Sequence, residues 1–340
     1  MVVYQIILVS RFIILIIRRS FALYGNLSIF AEINNNPVGA MNYHKIIKTS
    51  FDWLVNIFLA VFGVAALWFL AQLFIYASFT IPTDSMEPTI IPGDRIYVDK
   101  TYMGARLFDI IGAAGGKKVD IYRSPGRKSL RQGDVMVFNF PYKTRWDSIA
   151  LNVRVYYVKR CIGVPGDTVE IHDCSYYTNG KAVAGIAEKA ADRLRAYFER
   201  YDSARSDFPH PLVVEMAFPN DSAVPWTVRE FGPLIVPEKG HRIQMDSTSA
   251  IVYRNYIEWE TGEKLSVNGD SVRLGGMPLN EYVFKENYYF AGGDNSFNSQ
   301  DSRYFGLVPE PFVVGKASFI WKSVDKHTGR ERKERKYKSL

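Results

Sequence analysis

Two residues of this chain sit in settings that suit covalent chemistry, Ser85 and Lys159. Ser85 lies in FTIPTDSMEPTIIPGDRIYV (79–98), between Asp84 and Met86 and flanked by Pro82 and Pro88. Prolines fix φ and forbid a helix here, so the hydroxyl should sit on a rigid, extended or turned segment. Such preorganisation suits a nucleophile, although a serine in a Pro-bounded turn is ordinary by itself. Lys159 stands inside an apolar run, YYVKRCIGVPGDTVEI (156–171). Strand alternation groups Tyr157, Lys159 and Cys161 on one face and Val158, Arg160 and Ile162 on the other. If the Lys159 face is buried, desolvation lowers the pKa of the amine. A neutral lysine can then act as a general base. The alternative is a surface lysine whose stem covers a strand. A third segment, GGDNSFNSQDSRYFGLVPE (292–310), gathers Asp294, Ser299, Asp301, Ser302 and Arg303. It reads either as a solvated loop held by Asx and ST turns or as a hydrogen-bonded scaffold behind a site.

The elements that must position these residues are mostly strands. RIYVDK (95–100), DVMVFNF (134–140), VRVYYVKRCIGV (153–164), TVEIH (168–172), AIVYRNYIEW (250–259) and ASFIWKS (317–323) are rich in Val, Ile, Tyr and Phe, with Gly, Pro, Asn and Asp between them. The pattern predicts a mainly β, antiparallel body. IAEKAADRLRAYFERYDSARSD (186–207) has helical spacing and reads as an inserted helix. Ahead of the body, Trp53 to Phe79 run for 27 residues without a formal charge. This exceeds the ~20 residues needed to cross a bilayer core. Residues 1–17 are also apolar and could be a second span, a signal-like segment, or residues ahead of a start at Met41. Arg18, Arg19, Lys45 and Lys48 lie between the two stretches. The positive-inside rule puts that segment in the cytoplasm and everything after Phe79 outside.

Charge and cysteine content narrow the function classes. Of the net +7, residues 1–50 carry +4 and residues 326–340 carry +5, which leaves −2 for 51–325. The body is therefore not a basic nucleic-acid surface. The C-terminal run reads as a solvated tail or as membrane-surface attraction. Cys161 and Cys174 could bridge in an oxidising compartment, or Cys161 could be a small buried strand residue. No CxxC or HxxxH pair points to a metal.

Taken in order, the segments resemble the type I signal peptidases. These carry Ser-Met-x-Pro-Thr just outside the membrane, then Lys-Arg with Gly-x-Pro-Gly-Asp, then Gly-Asp-Asn and Asn-Ser-x-Asp-Ser-Arg. RQGDVMVFNFP (131–141) resembles the strand between the first two. The resemblance covers roughly 79–172 and 282–320. The self-cleaving repressors share the Ser-Met-x-Pro pattern, but the long span argues against them. The resemblance implies a membrane-bound serine endopeptidase with Ser85 as nucleophile and neutral Lys159 as base, removing signal peptides from exported preproteins. Ser299 would hydrogen-bond the Lys159 amine. The Ser85 N–H and the Thr83 hydroxyl would form the oxyanion hole. Asp301 with Arg303, and Asp294 with Arg160, would be supporting pairs. Phe79, Ile81, Met86, Ile90, Ile96 and Val158 would line shallow apolar subsites for the small side chains of an A-x-A cleavage site. One departure is Ser296-Phe297, where many relatives have Arg-Asp, and it leaves the local loop packing open.

The implied organisation is a cytoplasmic segment at 1–50, a transmembrane helix at 51–79 and a catalytic β core at 80–172 and 282–325. An inserted β/helical region follows at 173–281, with a basic tail at 326–340. The implied partners are preprotein signal peptides, the lipid bilayer and the translocation machinery, with no nucleic acid. The implied location is the bacterial inner membrane, with the catalytic part on the periplasmic side. No metal or organic cofactor is implied, since the dyad supplies both nucleophile and base.

Overall fold

The structure, a computed structural model, describes residues 37–143, 146–183, 187–203, 217–269 and 271–340. The apolar stretch at 1–17 and the Arg18–Arg19 pair lie outside the described residues. The chain divides into two compact units between Leu70 and Ala71.

Helix α1 spans Pro37–Phe74. Its Lys45–Phe74 portion, 30 residues, is long and apolar enough to cross a membrane, and Leu54, Phe62, Leu67 and Trp68 are exposed along it. The helix stops at Phe74, short of the expected 79. Tyr76–Thr80 is instead strand β1, which pairs antiparallel with β2 (Asp94–Asp99), Phe79 opposite Ile96. Hydropathy alone does not separate a helix end from a short apolar strand. Lys100 Nζ donates to Gln72 O at 2.6 Å and Leu73 O at 3.3 Å, satisfying carbonyls that the helix end leaves open.

The main remaining elements are β3 (Val135–Asn139), β4 (Tyr156–Gly163), β5 (Thr168–His172), β6 (Ser175–Thr178), β7 (Lys181–Ala182), α2 (Ala187–Ser203), β8 (Phe231–Ile235), α3 (Ser247–Thr261), β9 (Tyr288–Gly292), β10 (Val308–Pro309) and β11 (Val313–Ser323), with short strand pairs and short helical turns between them. A seven-stranded sheet runs β1-β2-β11-β3-β4-β9-β10, and a four-stranded sheet runs β8-β5-β6-β7. All these pairings are antiparallel. The expected inserted region is stitched into this body, since β8 pairs with β5.

Residues 250–259, expected as a strand, lie within helix α3. Asp246 caps its first turn by accepting from Ser249 N at 2.7 Å, and Gly262 closes it at φ 76°. Its buried residues Ala250, Tyr253, Tyr256 and Ile257 recur every three to four positions. That helical stripe outweighs the β-branched and aromatic content that suggested a strand.

The large sheet separates two cores. Met136 and Phe138 of β3 enter the larger one, whereas Val135 and Val137 enter a smaller one with Ile81, Met86, Ile90, Ile96, Val98 and Ile320. Period-two alternation explains how one strand serves both. The basic C-terminus is largely exposed, as a solvated run would be, but it is docked rather than free. Tyr337 N donates to Ile320 O at 2.6 Å and Leu340 N to Ser318 O at 3.0 Å, which lays the chain end along β11.

Candidate active site

Residues 81–94 form a closed turn behind β1. Ile81 N donates to Asp94 O at 2.8 Å and Gly93 N to Ile81 O at 2.9 Å. Gly93 has φ +95°, and a Cβ there would meet Val324 O at 2.0 Å, so only glycine fits. Met86 and Ile90 plug the turn into the small core. Ser85 is thereby held on a rigid segment, as the prolines suggested.

Lys159 comes from β4, where it pairs with Met136. Its Nζ lies 2.6 Å from Ser85 Oγ, and the residue is 4% exposed. Burial lowers the amine to about 8. The Arg303 guanidinium pushes the same way, while Asp301, Asp294 and Asp84 oppose it.

The loop at 293–303 backs both residues. Asp301 and Arg303 pair at 2.8 Å with 0% and 1% of their side chains exposed. Burial alone would raise the Asp301 carboxyl, but the charge and hydrogen bonds of Arg303 and the Gly293 N–H hold it below its ordinary range. Arg303 also donates to Ser296 O at 2.8 Å. Arg160 grips Asp294 bidentately, at 2.6 Å in both contacts, and Thr89 donates to the same carboxylate. A Cβ on Gly293 would fall 2.1 Å from Ser299 Oγ and 2.7 Å from Ser85 O, so the loop's close approach requires glycine.

The expected Ser299–Lys159 hydrogen bond is not formed. Ser299 Oγ is buried and has no hydrogen-bond partner among the described residues; the hydroxyl is packed against Gly293. Ser296 and Phe297, where the sequence departs from the expected Arg-Asp, both make packing contacts in the structure. Ser296 is buried, and Phe297 packs edge-on against Tyr197 of α2 at 5.7 Å.

A cleft of about 370 Å³ opens at Ser85 and Lys159, lined among others by Thr83, Ile81, Met86 and Val158. Three expected subsite residues do not line it. Ile90 and Ile96 are fully buried in the small core beneath. Phe79 lies against the Tyr156 ring at 4.9 Å. Apolar type could not separate lining residues from the core under them. Tyr156, Tyr157, Asn298 and Gln300 line the cleft without having been expected. Tyr157 was legible as a face-mate of Lys159, while Gln300 reaches the cleft through a contact distant in sequence, Tyr157 Oη to Gln300 Oε1 at 2.5 Å. Cys161 and Cys174 are both buried free thiols, and burial pushes the Cys174 thiol up to about 11.

The profile of the family described as signal peptidase, peptidase S26, matches residues 52–322. The chain belongs to that family. It is 28% identical over 312 residues to a signal peptidase I of Buchnera aphidicola subsp. Acyrthosiphon pisum, covering 87% of this chain and 84% of the relative. It is 29% identical over 286 residues to a signal peptidase I of Haemophilus influenzae, covering 78% and 69%. A crystal structure of a signal peptidase I from Enterococcus faecalis V583 aligns with 56% of this chain and 98% of its own, at 22% identity and a TM-score of 0.25. The chain is accordingly a serine endopeptidase of the signal peptidase I type.

Proposed function

We propose that Ser85 is the nucleophile and Lys159 the general base with which this signal peptidase removes signal peptides from preproteins. The carrying observation is the 2.6 Å separation of Lys159 Nζ and Ser85 Oγ at the floor of the cleft, with the amine buried. A neutral amine takes the Ser85 proton as Oγ attacks the scissile carbonyl, the resulting ammonium gives that proton to the leaving amine as the C–N bond breaks, and the amine, neutral again, takes a proton from the water that hydrolyses the acyl-enzyme. The Ser85 N–H and the Thr83 hydroxyl, on the cleft wall, would receive the developing oxyanion. Ser299 completes the reading. A buried hydroxyl without a partner costs ~1–3 kcal/mol, and in this reading the ammonium that Lys159 becomes during the reaction would supply one.

The substrate would lie extended between residues 81–86 and 156–159. That edge of β4 is open, because β9 pairs with β4 only from Arg160 to Gly163. Ile81, Met86 and Val158 would receive small apolar side chains. In this reading the protein works in the bacterial inner membrane with the catalytic part on the periplasmic side. It would meet preproteins as they leave the translocation machinery, and Lys45 and Lys48 at the start of the membrane-length portion of α1 support that orientation.

The test is cleavage of a purified preprotein in lipid vesicles by wild type, Ser85→Ala and Lys159→Ala. Wild type should cut, and each variant should lose ~10³-fold or more in kcat/KM while remaining folded. Persistent cutting by either variant would move the chemistry elsewhere.

A further inference from the structure

Helix α2 belongs to the 173–281 stretch, which carries none of the sequence motifs, yet it touches the catalytic loop. Its Ala191, Leu194 and Phe198 are buried. Arg195 ties it to the small sheet through Asp173 O at 2.8 Å and Ser175 Oγ at 2.5 Å. On the side toward residues 296–298, Tyr197 meets Phe297 at 5.7 Å, and Arg193 donates to Asn295 Oδ1 at 3.0 Å.

Asn295 is 4% exposed and holds Ser85 from both sides. Its backbone N–H donates to Ser85 O at 3.1 Å. Its Nδ2 donates to Asp84 O at 3.3 Å. The peptide group is planar, so holding the Asp84 carbonyl also aims the Ser85 N–H on its opposite side. That N–H is the oxyanion donor in the reading above. A guanidinium offers donors only. Arg193 therefore faces the oxygen of the Asn295 amide and leaves Nδ2 turned to the nucleophile turn. Without Arg193 the amide is free to rotate, and Nδ2 can leave Asp84 O.

From this chain of contacts we propose that Arg193, supplied by the inserted helix, is a positioning residue. It acts through Asn295 to orient the Asp84–Ser85 peptide, and so the oxyanion donor. The proposal rests on the Ser85 reading. The oxyanion forms only in the transition state, so the effect belongs in kcat rather than KM.

The experiment measures kcat and KM of the full-length protein in lipid vesicles on a purified preprotein, together with thermal unfolding. Arg193→Ala should lower kcat about tenfold, less than the ~10²-fold that a displaced reacting group can cost. KM and the unfolding midpoint should stay close to wild type. Arg193→Lys, which restores a donor, should recover most of kcat. Arg193→Ala added to Asn295→Ala should cost nothing further, whereas Arg200→Ala on the same helix should be silent. An unchanged kcat in Arg193→Ala, or losses that multiply in the double variant, would overturn the proposal. Ser85→Ala is run alongside. If it is inert while Arg193→Ala is normal, only the positioning role falls. If it still cuts, the dyad reading falls as well.

Discussion

Two buried ion pairs stiffen the molecule around Ser85, and they are built in opposite ways. Asp301 and Arg303 stand two residues apart in one loop, both almost wholly buried, and meet at 2.8 Å. Asp94 and Arg335 meet at 2.6 Å with Asp94 fully buried, but 241 residues separate them. The first pair forms when its own loop folds. The second joins the end of the chain to the back of the nucleophile turn, where Arg335 also donates to Thr89 O at 2.9 Å. A local pair can be written as a motif, whereas a distant one exists only once the sheet has brought its two segments together.

The comparison breaks first at Arg303. Arg303→Met strands the Asp301 carboxylate inside the loop, and removing one partner of a buried pair costs ~3–5 kcal/mol. Denaturant unfolding of the detergent-solubilised protein should show that loss, and a cost below ~1 kcal/mol would mean that the loop does not depend on its pair.

Arg335→Ala should cost less, ~1–3 kcal/mol, because Asp94 keeps the Ile91 N–H at 2.9 Å. Burial alone would raise the Asp94 carboxyl, but Arg335, Ser323 and Ile91 together hold it below the ordinary carboxylate range. A depressed carboxylate contributes stability that is complete above the unfolded value and is lost as pH falls through the folded one. The gap between wild type and Arg335→Ala should therefore be full at neutral pH and shrink as pH falls through the unfolded aspartate's value of about 3.9 and below. A gap that widens in acid would remove the ion pair as its cause.

The smallest effect concerns the charges facing Lys159. The amine, lowered to about 8, is the active base only when neutral, so kcat/KM should rise with pH up to that region and level off above it. Asp301, Asp294 and Asp84 favour the ammonium and Arg303 disfavours it. Asp84→Asn should accordingly move the rising limb to lower pH, by less than one unit given solvent at the cleft mouth. A rate already flat between pH 6 and 9 would exclude an amine of this kind as the base.

Much of the site was legible because its parts are local. The prolines around Ser85, the lysine in an apolar strand and the Asp-Ser-Arg run each span a few residues; each alone also fits an ordinary surface role, and their order, through the family resemblance, selects the catalytic reading. The Asp294–Arg160 pair followed from the family resemblance, and the structure forms it. Residues 250–259 misled because their aromatic and β-branched content fits a strand, while the burial stripe and the Asp246 and Gly262 caps make a helix. Ile90 and Ile96 misled because an apolar side chain looks the same whether it lines a cleft or packs beneath one.

The chain's own order of residues thus determined the apolar helix, the β-rich body, the rigid setting of the serine and the candidate base. Each depends on neighbours within one or two turns, where periodicity and φ restriction act directly. Tertiary structure decided that Lys159 lies 2.6 Å from Ser85, that Ser299 is left unpartnered, that the basic C-terminus grips Asp94, and that an inserted helix reaches Asn295. These contacts join residues from 74 to 241 positions apart in the sequence, and burial arises only when distant segments exclude water together.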